Sequence, residues 1–255
     1  MPEQISPMHR MLCSSPLAAL RDVYRHYYTL PRLHRRFGAM NLRDAFATIY
    51  REGYWGSGQS APFDSGTGSA STHAALYCQL IHRFISERQV HTVVDLGCGD
   101  FRIGKEITSC AVNYIGVDIV PELIAHLRND HGSQHVTFEC LDATVDPLPQ
   151  GDLVLVRQVL QHLTNTEIQS VLKQVCHFKY AVVTEHVPIC EDVIPNRDKV
   201  HGPDIRLYSN SGVFLDQPPF RLPSEELLRI PVSDREAIVT TLIQKVQLVS
   251  PNGFN

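Results

Sequence analysis

The stretch "VVDLGCGDFRIG", Val93 to Gly104, limits the possible folds of this chain more than any other. An apolar run ends in an acid, Asp95, and two glycines, Gly97 and Gly99, follow at once. Valine and leucine before the acid read as a buried strand; the glycines let the backbone turn tightly and approach a ligand before a helix begins. The next apolar run, "YIGVD", also ends in an acid, Asp118, where a carboxylate accepts both hydroxyls of a ribose. Together they predict an open α/β sheet with a nucleotide-like ligand at the carboxyl ends of its first two strands.

The rest of the chain keeps that rhythm. Runs rich in valine, isoleucine and leucine at 91–96, 113–119, 135–142, 152–158 and 180–186 alternate with helical segments, the pattern of parallel β/α winding. Pro121 sits where a first helical turn begins, and Thr164 with Glu167 three residues on forms a capping-box signature. "EELLRIPVS" and "REAIVTTLIQKV" read as a final strand pair closing one sheet edge. The first fifty residues mix arginine, tyrosine and leucine at helical spacing around Pro31, which predicts two short amphipathic helices whose arginine stems cover their own domain. The domain reading is a helical extension with a Gly/Ser-rich lid over 1–72 and a ligand-binding domain over 73–255, with 186–220 as a substrate-loop insertion.

Composition narrows the partners. A formal charge of −4 and a pI near 6.3 give no overall positive field for nucleic acid, so a small-molecule substrate is the expectation. The 7 cysteines are odd in number, scattered and without a C-x-x-C pair, which fits neither a disulfide framework nor a zinc knuckle. "MLCSSPLAAL" is interrupted by Ser14, Ser15 and Pro16, and no apolar run is long enough to span a bilayer. These features predict a reduced, soluble, cytoplasmic protein.

The glycine run separates two ligand classes. A dinucleotide fingerprint needs a third glycine at position 102, where this chain has Arg102, and Asp95 would repel a diphosphate while suiting an amino group and a sulfonium. Here the chain resembles the class I S-adenosylmethionine-dependent methyltransferases: Asp95, Gly97 and Gly99 match their D-x-G-x-G-x-G motif, with Phe101 in place of the last glycine. The resemblance covers roughly 73–185. It implies an α/β, doubly wound, mostly parallel seven-stranded sheet with helices on both faces and an antiparallel C-terminal strand pair. It also implies S-adenosyl-L-methionine as cofactor, bound by Asp95, Gly97, Cys98, Gly99 and Arg102 in the first loop, and by Asp118 and Ile119 at the ribose. Asp142 and Ala143 would lie by the adenine, and Arg157 and Gln158 after the fourth strand. Cys98 reads as a small filler between glycines, since Asp95 and Asp100 disfavour a thiolate there. O-methylation is favoured over N-methylation; an NAD-linked oxidoreductase and a catalytically silent S-adenosylmethionine-binding module remain alternatives.

Candidate catalytic groups lie at the ends of the fourth and fifth strands. His186 follows Glu185, which is expected to hold the imidazole and raise its pKa, making it the candidate base; His162 in "VLQHL" is a second candidate or a positioning group. Arg197, Lys199 and Arg206 in the long 185–220 segment are candidates for holding a carboxylate or phosphate. Asp192, Asn196, Asp198 and Asp204 lack compact ligand spacing, so no metal is expected. The glycine- and serine-rich stretch Gly53 to Ser71 reads as a linker or, better, as a lid, with Trp55 covering the site and Ser65, Gly66 and Ser69 offering polar contacts.

Overall fold

A computed structural model of the chain describes residues 23–56, 62–66, 72–110 and 112–244. The strands are β1 (Thr92–Leu96), β2 (Asn113–Asp118), β3 (Val136–Cys140), β4 (Leu153–Arg157), β5 (Tyr180–Pro188), β6 (Ser224–Pro231) and β7 (Glu236–Ile243), joined in one sheet of order β3-β2-β1-β4-β5-β7-β6. The first five pair in parallel, and β7 runs antiparallel to both β5 and β6. Val93, Val94 and every residue from Leu153 to Val156 are fully or almost fully buried, as strands covered on both faces require.

Three helices follow parallel strands: α4 (Arg102–Ile107) after β1, α5 (Pro121–His131) after β2 and α6 (Asn165–Val175) after β4. Winding runs outward from β1 to β3 and then reverses to β4 and β5, so right-handed crossovers put α4 and α5 on the face opposite α6. The reversal leaves a crevice at the carboxyl ends of β1 and β4, where open α/β sheets hold their ligands. Local chemistry starts these helices as expected: Pro121 occupies the first turn of α5, and Thr164 and Glu167 form the full capping box of α6.

The amino-terminal part is α1 (Leu30–Phe37), preceded by a π-helical turn Arg25–Thr29, then α2 (Leu42–Arg51) and, after the lid, α3 (Thr72–Arg88). Pro31 does not end the helix: it lies where the π-helical turn passes directly into α1, within one continuous helical run. Phe37, Ala45, Phe46 and Ile49 belong to the same buried cluster as the sheet residues, so α1 and α2 share the core with the β/α unit.

Candidate active site

A cavity of about 620 Å³ opens above the crevice, within the 300–1,000 Å³ range of small-molecule sites. Its first wall is the loop after β1. Gly97 has φ +72°, and a Cβ there would stand 2.3 Å from Val159 Cγ2, so only glycine allows this close approach to the turn after β4. Phe101 takes the left-handed conformation (φ +66°) that glycine usually supplies. The strain is offset by packing: its ring is buried edge-on against Phe138 and Tyr114, 5.0 and 5.3 Å between centroids. Tyr114 in turn donates its hydroxyl proton to Asp95 Oδ2 at 2.5 Å.

Four carboxylates, Asp95, Asp100, Asp118 and Asp142, line this half. Asp118 Oδ2 accepts from Gly99 N at 3.3 Å and Oδ1 from Val120 N at 3.1 Å, which fixes the carboxylate at the end of β2. Burial pushes both Asp95 and Asp118 up to about 6, against the opposing pull of their hydrogen bonds. Asp142 is oriented by Thr144, whose N and Oγ1 donate to Oδ1 at 2.9 and 2.6 Å. Burial and the neighbouring acids Asp118 and Asp95 push the Cys98 thiol well up, which keeps it a neutral filler.

Asp64 and Ser65 pack against this loop. Ser65 N donates to Asp100 Oδ2 at 2.9 Å while Asp100 N donates to Ser65 Oγ at 2.8 Å, and Tyr50 OH lies 3.0 Å from the same Oγ. Arg102 bridges Asp100 and Asp64, the latter at 2.7 Å, so this exposed arginine ties Asp64 to the loop. Trp55 lies against the His162 ring with centroids 4.9 Å apart, edge-on to Tyr50, and donates Nε1–H to Pro203 O at 3.3 Å.

The far half is built on the turn Leu160–His162 after β4. Glu185, wholly enclosed, accepts from Leu160 N at 2.9 Å and Gln161 N at 3.2 Å. Arg206 donates to Leu163 O at 2.7 Å and to the carbonyl of Arg197, gripping the other end of the turn. His162 Nδ1 faces Gly202 O at 3.2 Å, so Nδ1 carries the proton and Nε2 is an acceptor. Burial, assisted by Lys199, pushes His162 down to about 4, so its ring is neutral at physiological pH. His186 lines the same cavity, with Nε2 3.4 Å from Glu236 Oε2.

Residues 93–178 match the family model described as a methyltransferase domain. The matched segment runs from β1 to just beyond α6, and together with the sheet order it gives this part of the chain a methyltransferase domain of Rossmann-like fold. Among solved structures, it resembles the N-methyltransferase NodS from Bradyrhizobium japonicum WM9 in complex with S-adenosyl-L-homocysteine: 12% identity, TM-score 0.54, 78% of this chain and 99% of that one. Human N-acetylserotonin methyltransferase with S-adenosylmethionine gives 14% and 0.51 over 93% of this chain and 71% of that one. Magnesium protoporphyrin IX methyltransferase from Synechocystis PCC 6803 gives 16% and 0.50, over 80% and 98%. At these identities the likeness is one of fold. No curated protein matches the sequence significantly.

The cavity gathers Asp95, Gly97, Cys98, Gly99, Asp118, Ile119, Asp142, Ala143, Arg157 and Gln158 along one crevice, with Trp55, Ser65, Gly66, His162 and His186 on its walls. Other expected residues lie elsewhere, and Ser69 falls outside the described residues. Glu185 does not hold His186: neighbours along a strand face opposite sides, so Glu185 turns to the Leu160–His162 backbone while His186 meets Glu236. The expected rise in the His186 pKa is therefore a fall, caused by burial and by His73 against the pull of Glu236. Arg102 does not line the cavity and pairs with Asp64 and Asp100 instead. Arg197 is exposed, Lys199 is buried 3.4 Å from Asp204, and Arg206 is spent on backbone carbonyls, so none of the three reaches the cavity. Sequence reasoning missed Phe46 and Tyr50 on α2, His73 on α3, Gln161 and Tyr208, all lining residues. The aromatic spacing of α2 was the available signal for the first two; Tyr208 had none.

Proposed function

We propose that the protein transfers a methyl group from S-adenosyl-L-methionine to a hydroxyl of a small-molecule acceptor held between the lid and the ends of β4 and β5. The residues present fit the cofactor. Asp118 is a buried, backbone-fixed carboxylate for the ribose, Asp142 and Ala143 flank the adenine position, and Asp95 with the glycine loop receives the amino-acid end. When bound, the cofactor supplies an electrophilic methyl on a sulfonium.

The observation that carries the acceptor assignment is the division of charge across the cavity. Every carboxylate that lines it among the described residues (Asp95, Asp100, Asp118, Asp142) comes from the β1–β3 half, whereas Arg157, His162, His73 and His186 line the remainder. A cationic amine would find no carboxylate partner on the second side; a neutral hydroxyl suits it, which favours O- over N-methylation. His186, kept unprotonated by its low pKa, takes the hydroxyl proton, and Trp55 with Ser65 excludes water. Alignment of the acceptor supplies most of the rate, since the donor is intrinsically reactive.

The test is a thermal shift with S-adenosylhomocysteine and, separately, NAD, followed by transfer from radiolabelled S-adenosylmethionine to hydroxyl and amine acceptors. Stabilisation by S-adenosylhomocysteine and label on oxygen are expected. Stabilisation by NAD alone would sink the reading, and label on nitrogen only would remove the preference for oxygen.

A further inference from the structure

One cavity-lining side chain is left incomplete. Gln161 is 5% exposed, yet its Oε1 has no hydrogen-bond partner among the described residues. A buried polar atom without a partner is uncommon in native proteins, and at a ligand site the missing partner is most simply the ligand.

The amide orientation follows from its neighbours. His162 Nδ1 carries the proton because it faces Gly202 O at 3.2 Å, so His162 Nε2 is an acceptor. The Gln161 atom 3.5 Å from that nitrogen is therefore the NH₂ group, and its second proton points to Gln158 O at 3.4 Å. Reversing the amide would set its oxygen against two acceptors. The carboxamide oxygen is thereby the free end of a short relay running from Gly202 through His162, and Glu185 anchors the relay by accepting from Gln161 N. His162 is a positioning residue in this arrangement, acting through Gln161.

We infer that Gln161 is a specificity-determining residue whose carboxamide oxygen accepts a hydrogen bond from a second hydroxyl of the acceptor, so the substrate is a polyhydroxylated ring. Trp55, Tyr50 and Tyr208 supply aromatic faces along the same cavity, and such faces accommodate a saturated sugar ring or an aromatic diol equally. The inference rests on the proposed methyl transfer.

The experiment uses the full chain, Gln161→Leu, and two panels: methyl hexosides, and dihydroxybenzoates, each with the analogue lacking one hydroxyl. Expected for Gln161→Leu is a folded protein with S-adenosylhomocysteine affinity within about twofold and kcat/KM for the polyhydroxylated acceptor reduced by about tenfold or more, with little loss for the analogue. The panel that is methylated identifies the ring as saturated or aromatic. Unchanged transfer, or an equal loss for the analogue lacking one hydroxyl, would mean that the Gln161 carboxamide oxygen does not touch the acceptor and overturns the inference. If S-adenosylhomocysteine stabilises the wild-type protein but no panel member is methylated, the polyhydroxylated class is refuted while the cofactor assignment stands. If it does not stabilise the protein, the proposed function itself fails.

Discussion

Phe101 stands where the motif usually has glycine, and its replacement separates two opposing effects. Truncation to alanine removes a ring that is 4% exposed and packed on Phe138, Tyr114 and His131, a change that costs roughly 3–5 kcal/mol for buried aromatics. Alanine keeps the cost of a side chain at φ +66°, about 1–2 kcal/mol, which glycine removes at the expense of about 0.4–1 kcal/mol of extra freedom in the unfolded chain. The Phe101→Gly variant is therefore expected to be more stable than Phe101→Ala by about 1 kcal/mol, the reverse of the usual ranking. That difference corresponds to roughly 2–4 °C in melting temperature for a chain of this size. Denaturant unfolding followed by the fluorescence of Trp55, the sole tryptophan, measures it. An alanine variant as stable as the glycine variant would refute the argument that Phe101 is held in a strained backbone by its ring contacts.

Three further outcomes follow from the site. Asp118→Asn is expected to weaken S-adenosylhomocysteine binding by about 10- to 100-fold in calorimetry, the scale of a charge-assisted hydrogen bond, with little change in melting temperature of the apo protein. Because burial raises Asp95 and Asp118 to about 6 from a usual 3.8, the apo fold binds more protons than the unfolded chain between these values. Their contribution to stability thus falls as pH rises through that window, whereas cofactor affinity, which needs the carboxylates ionised, rises over it; parallel pH trends would refute this. His186→Gln is expected to lower kcat about 100-fold. In the wild type, the rate increases with pH through a value below 6.5 and is flat at neutrality, since burial lowers the pKa of His186. Ser65→Ala removes the partner of Asp100 N and Tyr50 and is expected to speed S-adenosylhomocysteine release in stopped-flow fluorescence of Trp55, while an unchanged release rate would separate the lid from the glycine loop.

The sheet and the cavity wall of glycines and acids were legible because their signals are local. The parallel strands announce themselves as apolar runs, four of them largely buried, Asp118 is placed by the strand it ends, and the α6 cap is written in two residues of one turn. The Glu185–His186 pair shows a misreading of a signal that was present: adjacent strand residues face apart, so their proximity in sequence argued against a shared hydrogen bond. The basic segment 197–206 was read by charge alone. Arg206 is held by the backbone of the turn after β4, tens of residues away, which charge alone does not indicate, and Lys199 is buried beside Asp204.

What the sequence by itself determined is the winding order of the β/α unit, the turn at Gly97 and the acids at the ends of β1 and β2, since strand periodicity and backbone sterics act over a few residues. Only the tertiary structure decided what surrounds them. It set the ring of Phe101 against β2 and β3, fastened Ser65 to Asp100, packed α1 and α2 into the sheet's core, and turned Glu185 toward Gln161. Each of these depends on contacts between residues separated by tens of positions, and the free energy of burying them together, rather than any local preference, selects them.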